Sequence, residues 1–322
     1  MWTYGDSRDA VADALRLSRA MTFKAAVADL PQGGGKGVIM RRAGDPPLDP
    51  EGRRAALLDF AETVDMLGGR YRTAEDVGTS DADMTVIAEG TPHVTGLAVE
   101  RGGSGDPSPW TALGVQEAIR VACERAFGSP DLGERSVAVV GLGRVGGALA
   151  RLLAAEGARL VCADVDEGKR ALADELGADW TDPDAALLAD VDVLAPCALG
   201  GMLNHDTVPA LRCRAIAGAA NNQLSAEPVA ELLTERGILW APDFVANAGG
   251  ILNISVELEP AGYSAERADA RVRAIGATLR TIFDEAEAAG STPLDAAMAL
   301  AYRRLAAASD PRPEASLGAP PA

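Results

Sequence analysis

Two lysines stand close together in a chain that otherwise carries its positive charge on arginine. Of 30 basic residues only three are lysines, and two of these are Lys24 and Lys36. An arginine guanidinium keeps its proton, whereas a lysine amine loses it when it is buried or lies near another cation. Lysines retained beside the triple glycine Gly33–Gly35 therefore indicate a site that needs a titratable amine. Two solvated lysines are the alternative.

The two amines suggest two different tasks. If both lysines face one cleft, each lowers the pKa of the other. One then stays charged and binds a carboxylate, while the other carries a proton near neutral pH. The glycines place backbone around Lys36 and leave room for a ligand. Asp76, before Val77-Gly78-Thr79, is a candidate on a functional loop or a simple turn residue, and Glu75 is interpreted as a solvated side chain.

A glycine-rich segment indicates a dinucleotide site. The apolar run Ser136–Val140 leads directly into Gly141-Leu142-Gly143-Arg144-Val145-Gly146, and a second apolar run ends at Asp164. Such glycines allow a tight turn and bring backbone N–H groups to a pyrophosphate, while the acidic residue accepts from the ribose hydroxyls. A carboxylate at that position repels a 2′-phosphate, so NAD is favoured over NADP. A glycine turn without nucleotide is the alternative.

The element pattern predicts an α/β protein with a Rossmann-type, doubly wound NAD domain and an α/β substrate domain. The active site is expected in the cleft between them. Expected strands are Val38–Met40, Arg70–Thr73, Ser136–Val140, Arg159–Ala163, Val191–Ala195 and Ala215–Ala217; expected helices begin at Asp6-Ser7, span Glu51–Leu67, and follow Pro109 and Asn247. The expected divisions are 1–109 for the substrate domain, 110–262 for the NAD domain, 263–308 for C-terminal helices and 309–322 for a disordered tail.

The composition of the chain limits the classes of partner that it can bind. A net charge of −17 over 322 residues disfavours nucleic acid and anionic membranes. No uncharged apolar run approaches the ~18 residues of a membrane span. The four cysteines lack metal-ligand or disulfide spacing, so a cytoplasmic location, reduced thiols and no metal are expected.

Asn221 and Asn247 are candidate ligand-binding residues. They follow turns at positions where ligands bind in α/β sheets; the alternative is that they serve as turn and cap residues.

The motifs together resemble the glutamate, leucine, phenylalanine and valine dehydrogenases. The resemblance covers nearly the whole chain to about Leu305, in the order found in the family. It rests on Met21–Lys24, Gly33–Lys36, Thr73–Thr79, Pro107–Pro109, Gly141–Gly146, Ala195–Gly201, Gly218–Gln223 and Ala241–Gly250.

The resemblance implies reversible oxidative deamination of an L-amino acid with NAD, giving a 2-oxo acid and ammonium. It implies that Lys24 binds the substrate carboxylate, Lys36 activates water and Asp76 shuttles protons at nitrogen. Asn221 and Asn247 would hold the nicotinamide ribose and the substrate. Thr111 would contact the carboxamide, Cys197 and Ala198 would lie in the cofactor site, and Cys197 would be a packed thiol rather than a nucleophile. A homo-oligomer is also expected.

The resemblance also suggests a substrate class. Ile251 and Ile254 occupy the positions of pocket-wall residues, and two bulky aliphatic side chains favour leucine, valine or isoleucine over glutamate. Phenylalanine is the alternative, because Arg101–Gly105 and Phe244–Asn247 resemble the phenylalanine enzymes more. In the family, the first strands of the substrate domain and a substrate-contacting Gly-Gly precede the segment equivalent to Met1–Tyr4. An inactive NAD-binding protein is therefore the rival hypothesis.

Overall fold

A computed structural model describes residues 1–309. The first part of the chain forms a two-stranded parallel sheet with helices beside it, in which Trp2 lies opposite Met40 and Tyr4 opposite Arg42. A small apolar core between the second and third helices fixes this part. Its elements are β1 Trp2–Tyr4, α1 Ser7–Val27, β2 Met40–Arg42, α2 Pro50–Asp65 and α3 Asp81–Ile87. The next helix, α4 Ser108–Phe127, packs in the main core of the second part of the chain.

The structure confirms the first two predicted helices and corrects the strands. The Asp6 side chain accepts from the backbone N–H groups of Arg8 and Asp9, so α1 begins where expected. Strand β2 starts two residues later than the expected strand. Arg70–Thr73 is not a strand, because in this segment only Thr73 forms a bridge, to Val94.

The second part of the chain is a six-stranded, wholly parallel sheet of order β5-β4-β3-β6-β7-β8. Helices cover both of its faces, which confirms the doubly wound architecture. Its elements are β3 Ser136–Val140, α5 Arg144–Ala155, β4 Arg159–Ala163, α6 Arg170–Glu175, β5 Asp179–Trp180, α7 Pro183–Leu187, β6 Val193–Pro196, β7 Ala215–Ile216, α8 Val229–Glu235, β8 Leu239–Trp240, α9 Asp243–Ala246 and α10 Gly249–Val256.

The predicted strands of this sheet are present, with β6 displaced by two residues at its start and β7 one residue shorter. The outer strands β5 and β8 contain two residues each and carry too short an apolar pattern to be recognised in sequence. In contrast, β3 and β4 pair over five residues in register, with Val140 opposite Ala163. Both of these strands therefore end at the edge where the glycine turn begins.

The last helix of the described chain packs against its first helix. Helices α11 Ala265–Arg273, α12 Ile275–Ala289 and α13 Pro293–Ser309 follow, separated from α10 by a turn, so the helical region expected after Asn247 is interrupted. Helix α13 packs on α1, where the rings of Phe23 and Tyr302 meet edge to face with centroids 5.4 Å apart. The predicted tail lies outside the described residues except for Ser309, and the domain limits remain a prediction.

Among the described residues, no helix is long and apolar enough to cross a membrane. Nor does that part of the chain hold a group of three or more histidine, cysteine or acidic side chains suited to a metal ion. The four cysteines are free thiols, and three of them are buried.

Candidate active site

The glycine loop brings Lys36 next to the helix that carries Lys24. A Cβ atom on Gly34 would overlap the backbone of Thr22 in α1, and one on Gly35 would come within 2.8 Å of the Tyr71 ring. Only glycine allows this approach, so the glycines serve mainly to pack the loop on α1 rather than to leave space for a ligand. The expectation about ligand space is therefore corrected, except at Gly33, which faces open space.

Lys24 lies in the last turn of α1 and reaches the cofactor side of the cleft. Its Nζ atom donates to Oδ1 of Asn221 at 3.3 Å. Burial lowers the pKa of Lys24 to about 8; the charge of Asp243 opposes this shift and the charge of Lys36 adds to it. Lys36 therefore contributes the smallest part of the shift at Lys24, and the mutual effect expected from the sequence is found in one direction only.

Lys36 forms an ion pair with Asp76. The ammonium contacts the Asp76 carboxylate at Oδ2, and the Lys36 side chain is 21% exposed against 49% for Asp76. Burial lowers the pKa of Lys36, while the negative charge of Asp13 acts in the opposite direction. Asp76 also accepts from the Val77 N–H through Oδ1 at 2.7 Å. Asp76 therefore makes the turn contact expected of a turn residue and also pairs with Lys36, so the structure is compatible with both interpretations offered by the sequence.

A strained turn presents Asn221. Its neighbour Asn222 has φ of +53°, in the left-handed region that few residues other than glycine adopt. The buried side chain of Gln223 holds this turn: its Nε2 donates to the carbonyls of Gly218 and Ala220, and its Oε1 accepts from the indole of Trp240. The exposed Asn221 is therefore supported by a buried network of hydrogen bonds.

Asp243 is the charged member of that network. Its Oδ2 accepts from the Gln223 N–H at 2.7 Å, and the side chain lies at the start of α9, where burial raises its pKa. The sequence offered one signal for Asp243, its position in the Ala241–Gly250 motif. Strand β8 is too short to be recognised in the sequence. The position of Asp243, beyond the end of this strand and facing Lys24, therefore could not be predicted.

Asn247 connects this turn to the rest of the cleft. Its Nδ2 donates to the Ala219 carbonyl at 3.1 Å and to Asn221 Oδ1 at 2.8 Å. Its buried Oδ1 has no hydrogen-bond partner among residues 1–309. An unpartnered buried acceptor carries a free-energy cost of about 1–3 kcal/mol, so this oxygen is suited to accept from a bound molecule.

The glycine turn after β3 has the form that a dinucleotide requires. Gly141 has φ of +101°, and a Cβ there would come within 2.7 Å of Ala198, while Gly143 faces open space. Asp164 at the end of β4 accepts from the Leu142 N–H at 2.6 Å and from the Asp166 N–H at 2.9 Å. The carboxylate therefore lies against the turn, as the sequence predicts for a ribose-binding acid.

Of the other expected cofactor residues, Cys197 lies beside this turn and Thr111 lies on α4. A Cβ on Gly146 would lie 3.0 Å from the Cβ of Cys197, so the two segments touch. Burial raises the pKa of Cys197 to about 12, which suits a packed thiol and not a nucleophile. Val145 packs partly against the main core. The Thr111 hydroxyl donates to the Pro107 carbonyl at 3.0 Å.

The expected pocket wall lies on α10, which meets α4 closely. A Cβ on Gly250 would approach the Thr111 hydroxyl oxygen to 2.8 Å, and one on Gly249 would overlap the backbone of Trp110. Ile251 and Ile254 follow these glycines on α10 and are half-buried. The glycine pair therefore brings the start of α10, from which Ile251 follows, next to the predicted carboxamide residue Thr111.

Glu75 corrects one expectation. It is not a solvated side chain: its Oε1 accepts from Arg144 at 2.9 Å, and only 10% of the side chain is exposed. Arg144 belongs to the glycine turn, so this ion pair crosses the cleft. The sequence gave no signal for it, because the partners lie 69 residues apart and each alone resembles a surface charge.

Comparison with known proteins places the chain in a family. Residues 3–93 match the model "Glu/Leu/Phe/Val dehydrogenase, dimerisation domain", and residues 164–312 match "Glutamate/Leucine/Phenylalanine/Valine dehydrogenase". Leucine dehydrogenase of Thermoactinomyces intermedius is 42% identical over 95% of this chain and 82% of its own length. Valine dehydrogenase of Streptomyces coelicolor is also 42% identical, over 97% of this chain and 85% of its own.

Solved structures agree with these matches. The crystal structure of L-tryptophan dehydrogenase from Nostoc punctiforme has a TM-score of 0.81 and 39% identity, covering 96% of this chain and 87% of that one. The hetero-hexameric glutamate dehydrogenase from Thermus thermophilus has a TM-score of 0.74 and 25% identity, covering 92% and 78%. The resemblance found in the motifs is confirmed: the chain belongs to the glutamate/leucine/phenylalanine/valine dehydrogenase family and is an amino acid dehydrogenase.

Proposed function

We propose that the protein catalyses reversible, NAD-dependent oxidative deamination of a branched-chain L-amino acid to its 2-oxo acid and ammonium. The observation that carries the proposal is that the two lysines contact different partners on opposite sides of the cleft. Lys24 contacts Asn221 on the cofactor side of the cleft, whereas Lys36 contacts Asp76 on the substrate side. One amine is thereby available as an anchor and the other as a proton carrier.

Lys24 is the proposed carboxylate anchor. An ammonium has three donors, and one of them is used by Asn221 Oδ1. The remaining N–H groups can donate to a substrate carboxylate, whose charge raises the lysine pKa and keeps the amine protonated. The buried Asp243 acts in the same direction before substrate arrives.

Lys36 and Asp76 are the proposed acid–base pair. The bound nicotinamide would accept a hydride from the substrate Cα. Asp76 takes a proton from the substrate ammonium, so that the nitrogen lone pair can form the C=N bond of the imino acid. Neutral Lys36 then removes a proton from the water that attacks the imino carbon, and Asp76 returns its proton to the nitrogen of the resulting carbinolamine. The C–N bond breaks as the carbinol hydroxyl loses its proton to form the C=O bond, and the departing ammonia takes up that proton to give ammonium. The lowered pKa of Lys36 supports the role of a base.

The residues present fit NAD. The turn at Gly141–Gly146 leaves open space at Gly143, and Asn247 Oδ1 is a buried acceptor awaiting a donor such as a ribose hydroxyl or a substrate amine. Arg144 and Val145 begin α5, at whose N-terminus a pyrophosphate is favoured. Asp164, followed by Asp166 and Glu167, surrounds the ribose position with negative charge, which favours NAD over NADP.

The side-chain pocket supports an aliphatic substrate. Ile251 and Ile254 offer bulky apolar surface and no cation for a second carboxylate, which disfavours glutamate. A second candidate is an aromatic amino acid, because one relative, 43% identical over 94% of this chain, is an L-tryptophan dehydrogenase. We also propose a homo-oligomer, since the N-terminal family model is a dimerisation domain and the Thermus thermophilus neighbour is hexameric.

The test is NADH formation at alkaline pH with leucine, valine, isoleucine, phenylalanine and tryptophan, each with NAD and with NADP. The proposal predicts the highest kcat/KM for one of the three branched-chain acids with NAD. Preference for an aromatic acid would overturn the substrate assignment, and preference for NADP would overturn the cofactor assignment.

A further inference from the structure

The loop that carries Asp76 is attached to both sides of the cleft. On the substrate side, the Asp76 N–H donates to the Thr79 hydroxyl at 3.1 Å, and Arg53 on α2 donates to the Gly78 carbonyl at 3.0 Å. On the cofactor side, Glu75 accepts from Arg144 at 2.9 Å. Glu75 and Asp76 are adjacent in sequence, so any displacement of Glu75 is transmitted to the proposed acid–base residue.

Charge complementarity around Arg144 extends beyond this pair. Asp81, at the start of α3, and Asp106, just before α4, also act on Arg144 and, after Glu75, raise its pKa. Three carboxylates thus face one guanidinium of the glycine turn. Glu75 is the one in contact; its side chain is 10% exposed, whereas that of Arg144 is 64% exposed. The guanidinium is therefore open to solvent, and added salt weakens this ion pair.

We propose that Glu75 is a positioning residue: by pairing with Arg144 across the cleft, it fixes the Asp76 loop against the glycine turn, so that Asp76 and Lys36 are aligned when the cleft is closed. This inference rests on the proposed function of Asp76. It assigns to the pair the task of coupling the cofactor turn to the acid–base loop. A displacement of the loop by about 1 Å is enough to lower a rate by up to about 100-fold.

The test is a double-mutant cycle on kcat at saturating leucine and NAD. Glu75→Gln should lower kcat about tenfold and leave NADH affinity, measured by fluorescence, nearly unchanged. Arg144→Gln should lower kcat as well, and the double variant should be no slower than the slower single variant, because both changes remove one interaction. Added salt should lower kcat of the parent but not of Glu75→Gln.

A matched control is Glu175→Gln. This residue forms an ion pair with Arg151 between α5 and α6, away from the cleft, and both side chains are half exposed. Its substitution should leave kcat unchanged. Parent-like kcat in Glu75→Gln, or losses that multiply in the double variant, would overturn the inference.

A readout independent of turnover separates this inference from the proposed function. With NADH bound, small-angle X-ray scattering should give a larger radius of gyration for Glu75→Gln than for the parent, because the cleft loses an attraction. Equal radii would overturn the inference. Absence of turnover in the parent would instead contradict the proposed function.

Discussion

Lys24 and Asn221 are 197 residues apart in sequence, and Lys24 Nζ donates to Asn221 Oδ1 across the cleft at 3.3 Å. This contact connects the last turn of α1 to the strained turn after β7. The same oxygen accepts from Asn247 Nδ2 at 2.8 Å, so a chain of hydrogen bonds runs from the lysine to α9. The position of the proposed anchor therefore depends on the cofactor side of the molecule.

Substrate affinity should depend on pH through Lys24. Its pKa is lowered to about 8 from 10.5, so the amine is charged below pH 8 and loses its proton as the pH rises above it. Bound substrate raises the lysine pKa, so the KM for leucine should rise above about pH 8 and level off only above the higher pKa of the substrate complex. Steady-state kinetics between pH 7 and 11 measures this change. In Lys24→Gln, KM should be high at every pH; a pH-dependent KM in that variant would assign the titration to another group.

Lys36 should be essential for turnover and dispensable for cofactor binding. Lys36→Ala should lower kcat by at least about 100-fold, the contribution typical of a positioned base, while NADH affinity stays near that of the parent. Lys36→Arg is the matched control, since it keeps the charge but cannot release a proton. Recovery of turnover in Lys36→Arg would show that the charge of Lys36 matters and its titration does not.

Gln223 should support the site without touching substrate. Gln223→Leu removes hydrogen bonds to Gly218, Ala220 and Trp240 inside the protein. Leaving such groups unpaired should lower the free energy of unfolding by about 2–4 kcal/mol, measured by denaturant titration. The KM for leucine should also rise, because Asn221 loses its support. Trp240→Phe removes a single donor and should cost less; an equal loss would argue against the network.

The side-chain pocket should respond to the size of residue 251. Ile251→Ala shortens a side chain of the proposed wall and so enlarges the pocket next to Gly250 and Thr111. The ratio of kcat/KM for phenylalanine to kcat/KM for valine should therefore rise about tenfold. The ratio serves as its own control for changes in overall activity. An unchanged ratio would remove Ile251 from the pocket.

Much of the fold follows from local sequence, and the site follows only in part. Strands β3 and β4 are recognisable because in each of them four consecutive apolar residues precede the glycine turn or Asp164. The two-residue strand β8 is not, and with it the position of Asp243 could not be predicted. The contact between Glu75 and Arg144 could not be predicted either, because the two residues lie 69 positions apart and meet only through tertiary packing. Lys24 and Lys36 could be identified because lysine is rare in this chain. Residue type alone, without any knowledge of the fold, was sufficient to single them out.

Transfer of deuterium tests the central claim most directly. L-Leucine carrying deuterium at Cα is incubated with the protein and NAD, and the products are analysed by mass spectrometry. The account predicts deuterated NADH together with equal amounts of 4-methyl-2-oxopentanoate and ammonium, and formation of these products at least about 100-fold more slowly by Lys36→Ala. NAD binding without NADH formation from leucine, valine or isoleucine, or NADH that lacks deuterium, would contradict it.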